Sequence, residues 1–165
     1  MNPARRLTPA QENSLAIAAA VVTANAYYIH PIIALVADHF GVSHARIGLV
    51  PALNQLALAV GIFLLLPLGD RYSNRRLTIL FASGQTVSLA LMTLASGFSA
   101  FVLGSTLLGF FTIAPYLLPA YASKRVAPER LGQVTAKLTA GVILGILVAR
   151  VGAGVIAEHF GWRAV

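Results

Sequence analysis

The chain contains no cysteine, so neither a disulfide framework nor a thiolate metal site can be built from it. Charge is scarce as well, at 10% of residues against roughly 25% in a soluble domain. The five acids, Glu12, Asp38, Asp70, Glu129 and Glu158, are spread through the ends and connections, a spacing that suggests no close carboxylate pair for acid–base catalysis. His39 and His44 lie near Asp38, but no helix face gathers three ligands, and no metal or cofactor is expected. A phosphate loop of the form G-x-x-x-x-G-K-S/T is missing, which leaves ATP-driven work by this chain unsupported. The formal charge of +7 invites a nucleic-acid reading, yet basic and aromatic residues are not interleaved on a polar face, so nucleic acid is not an expected partner.

What remains is hydrocarbon. At 58% hydrophobic residues the chain has too little polar surface to coat a water-soluble globule, and the lipid bilayer is its expected solvent. A spanning helix needs about 20 mainly apolar residues. Five stretches meet that need, at 14–36, 47–69, 77–97, 100–122 and 135–157, after an N-terminal segment 1–13 and before a tail 158–165. The expected class is an all-α integral membrane protein, since a membrane barrel would need alternating segments of about ten residues.

Orientation follows from basic residues, which concentrate in cytoplasmic loops. With the N-terminus inside, Arg5, Arg6, Arg71, Arg75, Arg76, Lys124, Arg125, Arg130 and Lys137 fall on the inner side, against Arg46 and Arg163 outside. Arg150 lies about halfway along the fifth stretch, where arginine costs about 2.5–3.5 kcal/mol even on translocon scales. It is read either as lining a cavity, where it binds an anionic or polar substrate group or gates access, or as paired to helix carbonyls. Asn25, Tyr28 and His30, which precede the weakening Pro31 in the first stretch, are candidates for a substrate cavity or for coupling, with His30 able to titrate near neutral pH. Asn54 and Gln55 read as interhelical hydrogen-bonding groups or as substrate contacts, and Gln85 as interhelical glue. Gly141 and Gly145 form a G-x-x-x-G pair that lets another helix approach closely.

The short charged stretch PLGDRYSNRRL, residues 67–77, interrupts the apolar pattern. Its Gly69, Asp70, Arg71, Arg75 and Arg76 resemble the signature loop between helices 2 and 3 of the major facilitator superfamily, G-x-L-x-D-R-x-G-R-R. Leu66 replaces the first glycine, and one extra residue separates Arg71 from Arg75. NAYYIHP at 25–31 is similar to a first-helix pattern of bacterial arabinose-efflux or multidrug-efflux members. AGVILGILVARVGAG at 140–154 resembles their fifth helix through Gly141, Gly145, Arg150 and Gly154, and GWR at 161–163 resembles the opening of their sixth. The Gly-Pro antiporter motif is absent, because Ile146 follows Gly145, and Ser105 stands where a fourth-helix arginine is common.

The resemblance implies most of the N-terminal six-helix half of a twelve-helix transporter, with the substrate site between the halves. It also implies that the 67–77 loop latches the two halves in one conformation. The expected function is secondary active transport of small molecules, with efflux and proton coupling as implied features and a bacterial inner membrane as the location. Expected partners are a small-molecule substrate, protons, and a missing C-terminal half or another membrane chain. The alternative is a truncated, non-transporting membrane protein or a helix-interaction module.

Overall fold

A computed structural model describes residues 7–165; Arg5 and Arg6, counted in the charge bias, lie outside the described residues. Among the described residues there is no strand. The chain forms α1 (Pro9–Asn25), α2 (Ile29–Phe40), α3 (His44–Ile47), α4 (Leu49–Leu65), α5 (Leu68–Arg71), α6 (Asn74–Thr93), α7 (Phe98–Phe111), α8 (Ala114–Ser123) and α9 (Pro128–Phe160). A 3-10 turn, Trp162–Ala164, closes it. Among the described residues, four helical runs are long and apolar enough to cross a membrane: Pro9–Phe40, His44–Arg71, Phe98–Ser123 and Pro128–Phe160. Each overreaches its apolar stretch, because a helix continues through the headgroup zone after the hydrocarbon ends. The helix in the third expected stretch, α6, is not among the four. Ser83, Gln85, Thr86 and Ser88 in its middle dilute its apolar character.

Local chemistry sets the ends and breaks. Thr8 and Gln11 make a reciprocal capping box at the start of α1, at 3.3 and 3.0 Å, with Pro9 in the first turn. Gly41 ends α2 at φ 60°, a left-handed conformation that suits glycine. Between α1 and α2 the helix slips at residues 26–28. Pro31 has no N–H to offer the Tyr27 carbonyl four residues back. His30 N–H donates to that carbonyl instead, at 3.4 Å, and the His30 ring Nδ1 lies 3.3 Å from it. Pro115 has the same effect on the Phe111 carbonyl, which accepts from Ile113 N at 2.9 Å where α7 gives way to α8.

Helices meet through close contacts at small residues as well as through buried clusters that include Val36, Val50, Phe81, Phe101 and Ile113. The main pairings are α1 with α9, α4 with α7, and α6 with α7. Gly141 and Gly145 of α9 rest on the backbone of Ala16 and Ala20 of α1, so closely that an added Cβ would collide with either carbonyl. Gly109 of α7 lies equally close to the Asn54 carbonyl of α4. Other large apolar side chains point outward: Ile17, Phe63, Val87, Ile143, Val148 and Val155 are all more than half exposed, as expected where lipid tails supply the contact. At the end bearing Gly41 and Gly97, Phe101 and Trp162 stack edge to face at 5.4 Å, with Phe40 5.7 Å from Phe101.

The opposite end is held by charge. Glu12 of α1 is 2% exposed, and Arg130 of α9 donates through Nη2 to both its carboxylate oxygens at 3.0 and 3.2 Å. Lys137 approaches the same group at 3.6 Å. Nothing in the sequence pattern marked Glu12 as more than a solvated acid. The pairing brings the first turn of α1 against α9 on the same side as the glycine contacts.

Two outcomes follow from this packing. Gly145→Leu is expected to force α1 from α9 and to lower the melting temperature of the purified protein in detergent, whereas Gly152→Leu, where an added Cβ meets nothing within 4 Å, leaves it unchanged. Glu12→Ala should cost about 1–3 kcal/mol in a denaturant titration, between the 0–1 of exposed pairs and the 3–5 of broken buried ones, because both cations remain half exposed.

Candidate functional site

Polar groups at membrane depth need partners, and three helices meet around Gln85 for that reason. Asn25 Nδ2 donates to Gln85 Oε1 at 3.4 Å, and Gln85 Nε2 donates to Thr112 Oγ1 at 2.9 Å. Thr112 donates in turn to the Leu108 carbonyl at 2.7 Å. The network ties the end of α1 to α6 and to the α7–α8 break. Asn54, 1% exposed, sits apart from it and donates to the Ser105 carbonyl at 2.7 Å. Ser105 and Gly109 thus form the face of α7 against which α4 closes. Gln55, next in the chain, is exposed on the outside of α4.

A cavity of about 230 Å³ opens between α1, α4, α8 and α9. Thr23 of α1 and Tyr27 of the break after it line it, spaced four apart, and Pro115, Tyr116 and Pro119 line it from α8. From α9 come Thr139, Val142 and Ile146, one helical stripe at intervals of three and four. The same α9 therefore presents three faces: glycines to α1, Val148 and Val155 to the exterior, and this stripe to the cavity. Tyr116 and Thr139 are exposed, so the cavity is open at its rim. Thr23 Oγ1 is buried there with no hydrogen-bond partner.

Arg150 continues the stripe four residues beyond Ile146. It is exposed, and its guanidinium lies 5.8 Å from the centre of the Tyr27 ring, a cation–π arrangement. His30 stacks on the same tyrosine, with ring centroids 5.4 Å apart and an interplanar angle of 21°. Of the sequence candidates, Arg150 and His30 converge on Tyr27, whereas Asn25 is directed into the Gln85 network. Tyr28 faces a separate small cavity with Ile32, Trp162 and Arg163. Gly154, unlike Gly141 and Gly145, has open space around it. Sequence reading passed over Thr23, Tyr116 and Thr139, since a lone threonine or tyrosine in an apolar helix carries no spacing signal until a neighbouring helix defines the shared face.

The charged loop occupies the end near Thr8. Gly69, Asp70 and Arg75 line a groove of about 740 Å³ with Lys124 and Arg125, and Arg71 and Arg76 are exposed beside it. Arg125 lies 3.9 Å over the Tyr121 ring. Ser73 holds the N-cap position of α6 without a side-chain cap bond, although its carbonyl accepts from Arg76 N and Leu77 N. Among the described residues neither Asp70 nor the loop arginines form an ion pair. At the other end, Arg163 fastens the terminal turn to α6, donating to the carbonyls of Thr93 and Ala95 at 3.1 and 2.9 Å, with His39 Nε2 3.0 Å away. No group of three or more His, Asp or Glu side chains stands close enough to hold a metal among the described residues.

The sequence relatives fit this architecture. The chain is 34% identical to the putative uncharacterized transporter YgaY of Escherichia coli over 99% of its own length and 41% of that protein's. It is 30% identical to the probable transporter SCO4007 of Streptomyces coelicolor over 92% of its length and 35% of that protein's. The chain thus spans about two fifths of these relatives or less. No solved structure matches it. A sequence profile of the Major Facilitator Superfamily matches residues 15–165, and the chain belongs to that family.

Proposed function

We propose that the chain is the N-terminal portion of a secondary active transporter that exports small molecules across a bacterial inner membrane, with its N-terminus in the cytoplasm. The observation that carries this reading is the open-rimmed cavity of about 230 Å³, beside which Arg150 stands four residues beyond the lining residue Ile146 and approaches the lining residue Tyr27. An intramembrane ionisable group is a site by default, because its desolvation cost is tolerated where water, a partner or a ligand meets it. In this reading a second half closes over the rim, and access alternates as the halves rock.

The helix α6 is proposed as a further crossing. Its 20 residues reach about 30 Å at 1.5 Å per residue, the thickness of the hydrocarbon core; Gln85 and Ser88 are buried on its inner side, and the exposed Thr86 hydroxyl donates to the Ala82 carbonyl of its own helix. The loop bearing Gly69, Asp70, Arg71, Arg75 and Arg76 is proposed to latch onto the second half, for which its exposed charges are available. His30, stacked on Tyr27, is the proposed proton-carrying group, and a proton gradient the energy source.

Topology and transport are tested together. Alkaline phosphatase fused after Gly41 or Gly97 should be active and fused after Tyr72 or Lys124 inactive; the reverse pattern would invert the proposed orientation. In cells overproducing the full chain, export of its substrates should stop when an uncoupler collapses the proton gradient and persist when ATP synthesis alone is blocked. Asp70→Ala should slow that export while leaving the melting temperature of the protein unchanged, since Asp70 forms no ion pair among the described residues.

A further inference from the structure

We infer that the cavity takes a small organic anion with a compact apolar or aromatic body, its carboxylate or equivalent oxyanion at Arg150 and its body among Pro115, Val142 and Ile146. The inference rests on the transport reading and goes beyond it in naming the substrate class. Four observations carry it. Arg150 stands four residues past Ile146 on the α9 stripe that includes Val142, and its guanidinium approaches the ring of Tyr27, which lines the cavity, so it borders the cavity without being part of its wall. The cavity lining contains no Asp or Glu, and the nearest acid along α9, Glu158, is two helical turns past Arg150, so nothing on this face of the chain neutralises the guanidinium. The Arg150 guanidinium lies 5.8 Å from the Tyr27 ring centre and the His30 ring stacks on the same tyrosine at 5.4 Å, so that ring already has a cationic neighbour. Finally, Thr23 Oγ1 is buried at the cavity with no partner, a polar atom awaiting one inside an otherwise apolar wall.

These features discriminate among ligand charges. A cationic substrate would meet Arg150 with no carboxylate to offset it, and the tyrosine ring that would attract a cation already has one beside it. A neutral substrate would leave the guanidinium without an anionic partner when a second half covers the rim. An anion satisfies it, through the planar bidentate geometry that arginine offers to carboxylates. Size points the same way, because about 230 Å³ is smaller than the roughly 300–1,000 Å³ typical of sites for drug-sized ligands.

Benzoate is the probe, with benzamide as its uncharged isostere and benzylammonium as its cationic counterpart. Equilibrium binding of each to the purified full chain is measured for the wild type, Arg150→Lys and Arg150→Gln, each variant first shown to elute as the same monodisperse species. Benzoate should bind saturably to the wild type and about 10- to 100-fold more weakly to Arg150→Gln, the range expected for losing a charge-assisted hydrogen bond, with partial retention in Arg150→Lys. Benzamide and benzylammonium should bind no better than benzoate does to Arg150→Gln. The inference is overturned if wild-type protein shows no saturable benzoate binding, if Arg150→Gln binds benzoate as well as the wild type does, or if benzamide or benzylammonium matches benzoate. Proteoliposomes holding the full chain separate the two levels: uncoupler-sensitive movement of a neutral or cationic solute alone would sink the anion and leave the transport reading standing. The absence of any solute movement, with benzoate still bound through Arg150, would do the opposite.

Discussion

The close approach of α9 to α1 is the constraint on which the other features depend. Lipid tails are as apolar as leucine, so a helix gains little by hiding large apolar side chains from them, and association rests on backbone proximity. Gly141 and Gly145 permit it by leaving room for the carbonyls of Ala16 and Ala20. Once that contact fixes the rotation of α9, its remaining faces are assigned. Val148 and Val155 turn outward, and Thr139, Val142 and Ile146 turn to the cavity. The position of Arg150 is thus a consequence of glycines about one and a half and two and a half turns before it. The Glu12 pairing with Arg130 and Lys137 pins the same two helices at their other end.

Backbone breaks give the site its shape. Two proline-linked discontinuities, near Tyr27 and near Ile113, occur in helices that both border the cavity. At each, the freed carbonyl finds a local donor, and the side chains at the break are redirected: Thr112 toward Gln85, Tyr27 toward Arg150. The Gln85 network then ties both broken helices to α6, so the loosened segments are held where they are weakest.

Much of the helical architecture was legible because hydrocarbon imposes length and composition directly on sequence. The close approach at Gly141 and Gly145 was equally readable, since a G-x-x-x-G pair has one physical use in such a helix. What escaped was whatever depends on a neighbour. Glu12 looked like a terminal acid until α9 brought two cations to it. Ser105 was noted for the arginine it replaces, whereas its spacing from Gly109 serves the fit of α7 against α4. Gly154 shared a motif with Gly141 and Gly145 but not their surroundings. The expected third stretch ran to residue 97, but α6 stops at Thr93, where Arg163 from the far end of the chain takes the carbonyl of that residue.

The central claim is that one stripe of α9 faces water while its neighbour faces lipid, and the absence of native cysteine from this chain makes it directly measurable. Single cysteines at Ile146 and Val148, in a full chain otherwise free of cysteine, would be exposed in native membranes to a charged, membrane-impermeant thiol reagent. Ile146→Cys should be labelled and protected by a bound substrate, and Val148→Cys should stay unlabelled. Labelling of Val148→Cys with Ile146→Cys inert would place water on the wrong face of α9 and contradict the account.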